Sequence, residues 1–540
     1  MRISSLAITN HSRIPNLNVD IRAHAVIVGA NDVGKSSILR LLNLTLGAST
    51  GALYQRLSKN DLAEADSPLV VDVTLADFTD AERALLTSEI HVEEDGLTES
   101  LHVQLSVEQD PEDEDTIAIR RWFPMAGHER APSTKQISGF GWRYLPANRG
   151  TGVASLDGRD SALRTLLGAT DLGDQRATLI DLLEQFNTEL SSSGNVNELL
   201  DRVANHLSKA MPKTVSTGDL AIRSTADPES NVLGNVSMFV NKDGTYVPLT
   251  EQSDGVRQLT AMTLFDLAEG AANVVAIDEP ELHLHPASER TIAEMFAGSA
   301  NQKILATHSA YIVHRFEPSH IIAVGPDGAC HQIAEDKLSL VEKQRVNWWS
   351  PRLLETLTAR AAIVVEGASD RVIVEAAARA MGIELDRLGA VVFDIDGADK
   401  FPHVYKLIGK DGFGIEILGL VDEKEQASWL GAFGGRPKNV LGRSLWVSAP
   451  DLEAEYAQAF TGPGLARALV DGGYCKQADI LQSAAVSTIA DVTEEAAAAF
   501  CRKGKTEAAA VVASQLDAET SKKISSVAGL LNVLSGRDIL

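Results

Sequence analysis

Two carboxylates, Glu366 and Asp370, are the residues of this chain best spaced to do chemistry. The apolar run Ala361-Ala-Ile-Val-Val365 delivers Glu366 into a turn at Gly367, and Asp370 follows one helical turn later. A turn followed by a helix brings both carboxylates to one site. Carboxylate oxygens are the hard ligands that Mg²⁺ prefers, and Mg²⁺ keeps several of its waters. Two such ions about 3.5–4 Å apart stabilise the attacking and leaving oxygens of a phosphodiester displacement together. That chemistry takes more carboxylates than one turn supplies.

A second constellation lies upstream. Gly29-Ala-Asn-Asp-Val-Gly-Lys-Ser36 fits the phosphate-binding pattern GxxxxGK[ST], between the apolar strand Ala25–Val28 and a helix expected over Lys35–Leu46. Gly29, Asn31 and Gly34, with Ser37 in the first helical turn, belong to a nucleotide-binding loop whose backbone N–H groups turn toward phosphate oxygens. Lys35 is expected to reach the β- and γ-phosphates of ATP, and Ser36 to hold Mg²⁺. Val274-Val-Ala-Ile-Asp-Glu-Pro-Glu281 reads as an apolar strand ending in Asp278 and Glu279. Asp278 is expected to bind Mg²⁺ through water, and Glu279 to orient or deprotonate the attacking water.

Followed by Pro280 and Leu282-His-Leu-His-Pro286, this cluster resembles the ABC-type ATPases of the SMC, RecF and OLD groups. The resemblance implies roles for two further segments. Ser253-Asp-Gly-Val-Arg-Gln258 looks like a variant signature, in which Ser253 and Gly255 contact the γ-phosphate bound to the opposite protomer. A Ser253 that merely caps the following helix is the alternative. Thr307-His-Ser309 follows the strand Ile304–Ala306 where the family places its switch histidine, making His308 the γ-phosphate sensor. Each nucleotide is then closed by the partner's signature, which implies a homodimer of ATPase heads. No glutamine-loop residue can be placed.

Ile363-Val-Val-Glu-Gly367 with Asp370 resembles the opening of a Toprim domain. An ATPase head followed by Toprim is the arrangement of the OLD (overcoming lysogenisation defect) family, and the similarity spans nearly the whole chain with the main motifs in order. It implies metal ligation by Glu366, Asp370, Asp422 and Glu453, with Lys505 stabilising charge on the scissile phosphate. Val391–Gly397 looks like the middle strand and Ile415–Asp422 like the aspartate-bearing one. The chain departs from the family at Asp422-Glu-Lys-Glu425, where Lys424 stands in place of a second aspartate. A protonated lysine is a poor metal ligand. Three readings stay open: Glu423 or Glu425 replaces the ligand, Asp394 with Asp396 is the working pair, or the site holds one metal or is weakened. Asp451 is the alternative to Glu453, or a helix cap.

These residues need elements to hold them. The 540 residues are 44% apolar and 23% charged, enough for two to four domains. Helical spacing of Leu163, Leu166, Leu167, then Leu179, Leu182, Leu183, Phe186, then Leu199, Leu200, Val203 and Leu207 marks an insertion that either dimerises or packs. The expected fold is α/β: an ABC-type P-loop ATPase domain with that insertion, then a Toprim α/β domain and C-terminal helices. The expected boundaries are 1–158 and 216–345 for the ATPase parts, 159–215 for the insertion, 346–360 for a linker, 361–460 for the Toprim core and 461–540 for its helical part. Trp348 and Trp349 in the linker serve either DNA stacking or interdomain packing.

Composition bounds the function. Cys330, Cys475 and Cys501 are scattered, which excludes a disulfide framework or a zinc cluster. A net charge of −25 argues against a passive nucleic-acid coat but not against a nuclease, whose metal site consumes carboxylates. The acidic run Glu108–Asp115 is most simply a solvated loop. Mean hydropathy is −0.03, and the N-terminus lacks an apolar signal core, so a cytoplasmic protein without membrane partners is expected. The resemblance implies an ATP-regulated, Mg²⁺- or Mn²⁺-dependent DNA endonuclease of a type linked to phage defence, alone or with a helicase or a retron. A DNA-binding ATPase or nucleotide-sensing subunit with a weak Toprim is the alternative.

Overall fold

Apolar runs that are continuous in the sequence become parallel strands buried on both faces, and alternating runs become antiparallel strands covered on one. The computed structural model describes the chain except residues 93–96, 111–115, 127–129, 148–162, 164–166, 168–171, 211–215, 221–223, 225–232, 234–235, 243, 268–272, 346–347, 349–350 and 537–540. Leu166, Trp349 and most of the acidic run lie outside the described residues.

The first sheet is antiparallel. Its order is β2 (Ile14–Asp20), β1 (Arg2–His11), β4 (Leu69–Ala76), β6 (Glu99–Gln109) and β5 (His91–Val92), with β7 (Ile117–Trp122) also on β6. Strand β4 alternates strictly between buried and half-buried positions, as its sequence predicts.

The second sheet runs β14 (Cys330–His331), β13 (Ile321–Val324), β3 (Ala25–Gly29), β12 (Gln302–Ala306), β11 (Val274–Asp278) and β8 (Trp142–Leu145), parallel except for β14. Every residue of β3, β11 and β12 is buried. The P-loop, Asp278 and the segment bearing His308 therefore leave the C-terminal ends of adjacent strands, where ligands of open α/β sheets bind.

The third sheet is wholly parallel, in the order β16 (Ala390–Asp394), β15 (Ala361–Val365), β17 (Glu416–Asp422) and β18 (Leu445–Ser448). Helices Leu452–Phe460, Lys505–Gln515 and Ser525–Ser535 cover one face: Ile363, Val365, Leu418 and Leu420 share a core with Tyr456, Ala508, Val512, Leu530 and Leu531.

The other face joins the head. One continuous core runs from Val28, Ile277 and Leu305 through Trp348 and Leu353 to Val364, Phe393 and Phe413. Trp348 is 1% exposed; its ring stacks on Phe413 at 6.5 Å and its Nε1 donates to Phe316 O at 3.2 Å. It packs the domain junction, so the DNA-stacking reading of this residue fails on burial.

The helices Gln175–Ser192 and Gly194–Ala210 of the insertion pack as a hairpin. Leu200 is buried, whereas Leu182, Phe186, Leu199 and Val203 are exposed. After the insertion, β9 (Phe239–Lys242) and β10 (Thr245–Pro248) form an antiparallel hairpin. No described helix is long and apolar enough to cross a membrane.

Candidate functional site

The P-loop is shaped by backbone as much as by side chains. Gly34 sits at φ +103°, and a Cβ there would meet Ile14 Cγ1 at 2.9 Å, so only glycine fits without strain. Helix Lys35–Leu46 starts directly after it. Lys35 is buried and its Nζ donates to Gly29 O at 3.1 Å and Ala30 O at 2.6 Å. Burial lowers its pKa, opposed by Glu279, Asp278 and Glu281. Ser36 Oγ donates to Asp278 Oδ1 at 3.1 Å, which joins the two expected Mg²⁺-holding groups. Asn31 and Ser36 are exposed and Ser37 is half-buried.

Glu279 takes a left-handed backbone, φ +48°, and its N–H donates to Ala306 O at 2.8 Å. A non-glycine residue held there is strained and must be fixed by its surroundings. Glu281, which the sequence reading left without a role, ties the same loop to the segment that bears His308. It accepts from Thr307 Oγ1 at 2.8 Å and from the His308 N–H at 2.6 Å. Burial raises the Glu281 pKa against those hydrogen bonds, with Glu279 adding to the rise. His308 has its pKa lowered by burial and then by Lys35, against Glu279. The signal in the sequence was the third carboxylate of Asp278-Glu-Pro-Glu281.

Ser253 and Gly255 lead into helix Asp254–Leu267. Ser253 is exposed, and a Cβ on Gly255 would meet His283 O at 2.7 Å. Gln258 Nε2 donates to Pro280 O at 3.3 Å. The signature-like turn is thus packed tightly on the loop that follows Glu279 in the same chain.

At the third sheet, Glu366 follows β15 and Asp422 ends β17, its neighbour. The Asp422 N–H donates to Glu366 Oε1 at 2.9 Å, and Asp422 Oδ1 accepts from the Leu452 N–H at 3.2 Å. Asp370, in the first turn of helix Ala368–Ala380, accepts from the Gly367 N–H at 3.1 Å. Glu453 is 2% exposed and its Oε1 pairs with Lys505 Nζ at 3.1 Å. Burial, then the Glu366 and Asp370 charges, pushes Asp422 up to about 7. Burial also pushes Asp370 up to about 6, with Glu366 and Glu453 adding to the rise against the Gly367 hydrogen bond. For Lys505, burial opposes the charge, but Glu453, Asp422 and Asp370 together raise its pKa. All five expected residues therefore belong to one electrostatic cluster.

The competing ligands stand elsewhere. Asp394 Oδ1 is engaged by Arg352 and by Arg371 Nε, the latter at 3.3 Å. Asp396 is 99% exposed by its side chain and pairs with Lys400 at 3.3 Å. Glu423 and Lys424 are exposed in a short turn, and Glu425 is half-buried. Asp451 caps helix Leu452–Phe460 through the Ala454 N–H at 2.9 Å and holds Arg502 with both oxygens, at 2.8 and 3.1 Å. That matches the capping alternative.

The cluster fits a divalent cation. Glu453 Oε2 is buried with no hydrogen-bond partner, a costly state that a cation relieves. The donors are all hard oxygens, suited to Mg²⁺ or Mn²⁺. Among the described residues no three His, Cys, Asp or Glu side chains stand so that they could hold a metal ion as they are, so these carboxylates would have to turn toward one. A stability consequence follows with a definite sign. Asp370 and Asp422 bind protons more tightly folded than unfolded, so their contribution is full below pH 4 and is lost as pH rises through about 6 to 7. Because a metal ion binds the ionised carboxylates, Mn²⁺ should raise the melting temperature more at pH 8 than at pH 5.5. Equal shifts at both values would count against the site.

Residues 25–314 match the family model described as AAA domain, putative AbiEii toxin, Type IV TA system. Residues 357–423 match the one described as Overcoming lysogenization defect protein-like, TOPRIM domain. The chain is 22% identical over 399 residues to the OLD nuclease of Thermus scotoductus, covering 68% of this chain and 72% of that one. It is 20% identical over 468 residues to the Old nuclease of Escherichia phage P2, covering 77% of each. Among solved structures, the C-terminal region of the Burkholderia pseudomallei OLD protein aligns at 24% identity and a TM-score of 0.28, covering 33% of this chain and 97% of that one.

Proposed function

We propose that this chain, which belongs to the AAA-domain family and joins that ATPase domain to an OLD-like Toprim domain, is an ATP-regulated, divalent-metal-dependent DNA endonuclease. The observation that carries the reading is the electrostatic cluster of Glu366, Asp370, Asp422 and Glu453 with Lys505. Mg²⁺ or Mn²⁺ bound there supplies an activated water and neutralises charge on the phosphodiester. Glu366 and Asp422, at the ends of β15 and β17, and Asp370, in the first turn of helix Ala368–Ala380, would hold that ion. Glu453 would add a carboxylate from helix Leu452–Phe460, and Lys505, now paired with Glu453, would supply a positive charge toward a phosphate oxygen.

In the head, Lys35 and Ser36 bind ATP with Mg²⁺, Asp278 holds the ion's water shell, Glu279 orients the attacking water and His308 senses the γ-phosphate. The exposed Ser253 closes the nucleotide of a second copy, so the working form is a homodimer of heads. The OLD resemblance makes phage defence the setting. The test is a supercoiled plasmid incubated with the full chain and Mn²⁺ or Mg²⁺. Nicks or linear product should form and should vanish with a chelator. Cleavage that persists after chelation would overturn the metal mechanism.

A further inference from the structure

The Asp394-Ile-Asp-Gly397 turn was a candidate metal pair in the sequence, and the structure gives it other bonds. Asp394 lies beside Val365 in the β15–β16 register, next to the strand end that carries Glu366. The turn is tied to that strand end by backbone: Ile395 N–H donates to Val365 O at 3.2 Å and Gly397 N–H to Glu366 O at 2.9 Å. The Asp394 side chain is 9% exposed, and two arginines compensate its charge. Arg371 comes from helix Ala368–Ala380, adjacent to Asp370. Arg352 comes from outside the third sheet, from the linker helix Pro351–Leu357. That linker helix packs both on β16 and on the short helix Ala310–Val313, which begins just after the switch segment Thr307-His-Ser309. Leu353, Ile312 and Val313 in this seam are fully buried, so a shift of the short helix must move the linker helix.

We propose that Asp394 is a positioning residue, clamped by Arg352 and Arg371 so that the placement of Glu366 and Asp370 follows the nucleotide state at His308. The chain of contacts runs from Ser309 through helix Ala310–Val313 to Arg352, then to Asp394, and from there to Arg371 and the Glu366 backbone. A buried carboxylate shared by two cations is sensitive to the removal of either one, because the remaining charges are left uncompensated. Arg352 is therefore a charged contact through which the head can act on the Toprim carboxylates. The inference rests on the ATP-binding reading of the head and is independent of the nuclease reading.

The test is hydrogen–deuterium exchange of the full chain with and without ATPγS and Mg²⁺, followed in peptides covering residues 29–40 and 362–380. In the wild type both segments should respond. In Arg352→Gln the response at 29–40 should persist while that at 362–380 falls at least threefold, and Arg352→Lys should restore much of it. The persisting response at 29–40 reports that the head of the variant is folded, and Asp394→Asn should behave as Arg352→Gln does. An unchanged response at 362–380 in Arg352→Gln overturns the coupling, as does a wild type that responds only at 29–40. A wild type that responds at neither segment overturns the ATP-binding reading and the coupling with it.

Discussion

Glu366→Gln and Asp422→Asn should each reduce plasmid nicking by about a thousandfold or more, roughly 4 kcal/mol of transition-state stabilisation, while ATP turnover stays within about twofold. Both substitutions keep the hydrogen bonds that the oxygens make. Glutamine at 366 still accepts from the Asp422 N–H, and asparagine at 422 still accepts from the Leu452 N–H. What each removes is a negative charge that a metal ion needs. The same charges repel one another in the metal-free protein, where the pKa of Asp422 is raised by burial and by Glu366 and Asp370. Asp422→Asn should therefore melt higher than the wild type at pH 8 without added metal, and its response to Mn²⁺ should shrink. Loss of cleavage with a gain in stability separates a ligand role from a folding role. Nicking by either variant at the wild-type rate would sink the assignment of the site.

The second large effect is in the head. Lys35→Ala should lower ATP turnover at least a hundredfold and weaken nucleotide binding, because its Nζ is the buried cation at the P-loop. Glu279→Gln should lower turnover as far but leave binding intact, because the role proposed for Glu279 is on the attacking water and not on phosphate. In ATP, Glu279→Gln should also stay associated as a pair of heads, measurable by light scattering, whereas Lys35→Ala should not. Turnover that survives in Glu279→Gln would argue against a composite site closed by Ser253 of a second copy.

The parts of this molecule that a reader can take from the sequence are those where local pattern and tertiary role coincide. β3, β11 and β15 are short apolar runs ending in a glycine or a carboxylate, and each becomes a buried parallel strand with its functional residue at the C-terminal end. The helix Lys35–Leu46 has the expected bounds because Gly34 permits the left-handed turn before it. Other features depend on contacts distant in sequence. Glu281 reads as one more acid after a proline, and only the return of Thr307 and His308 gives it partners. Asp394 and Asp396 have the spelling of a metal pair, yet Arg352, 42 residues away, claims the first. The resemblance favours Glu453 over Asp451, and the helix start shows how the two acids part, with Asp451 on the Ala454 N–H and Glu453 in the buried cluster. Lys424 looked like a lost ligand, but its exposed position leaves the cluster to other residues.

The close approach of Gly255 to His283 O, with Gln258 on Pro280 O, bears on the timing of ATP use. In the pair of heads proposed above, the turn closing over one nucleotide would be attached to the catalytic loop serving the other. Each half would then register the occupancy of its counterpart. Hydrolysis should then depend on ATP concentration more steeply than a simple saturation curve, and a heterodimer with one defective half should run slower than half speed.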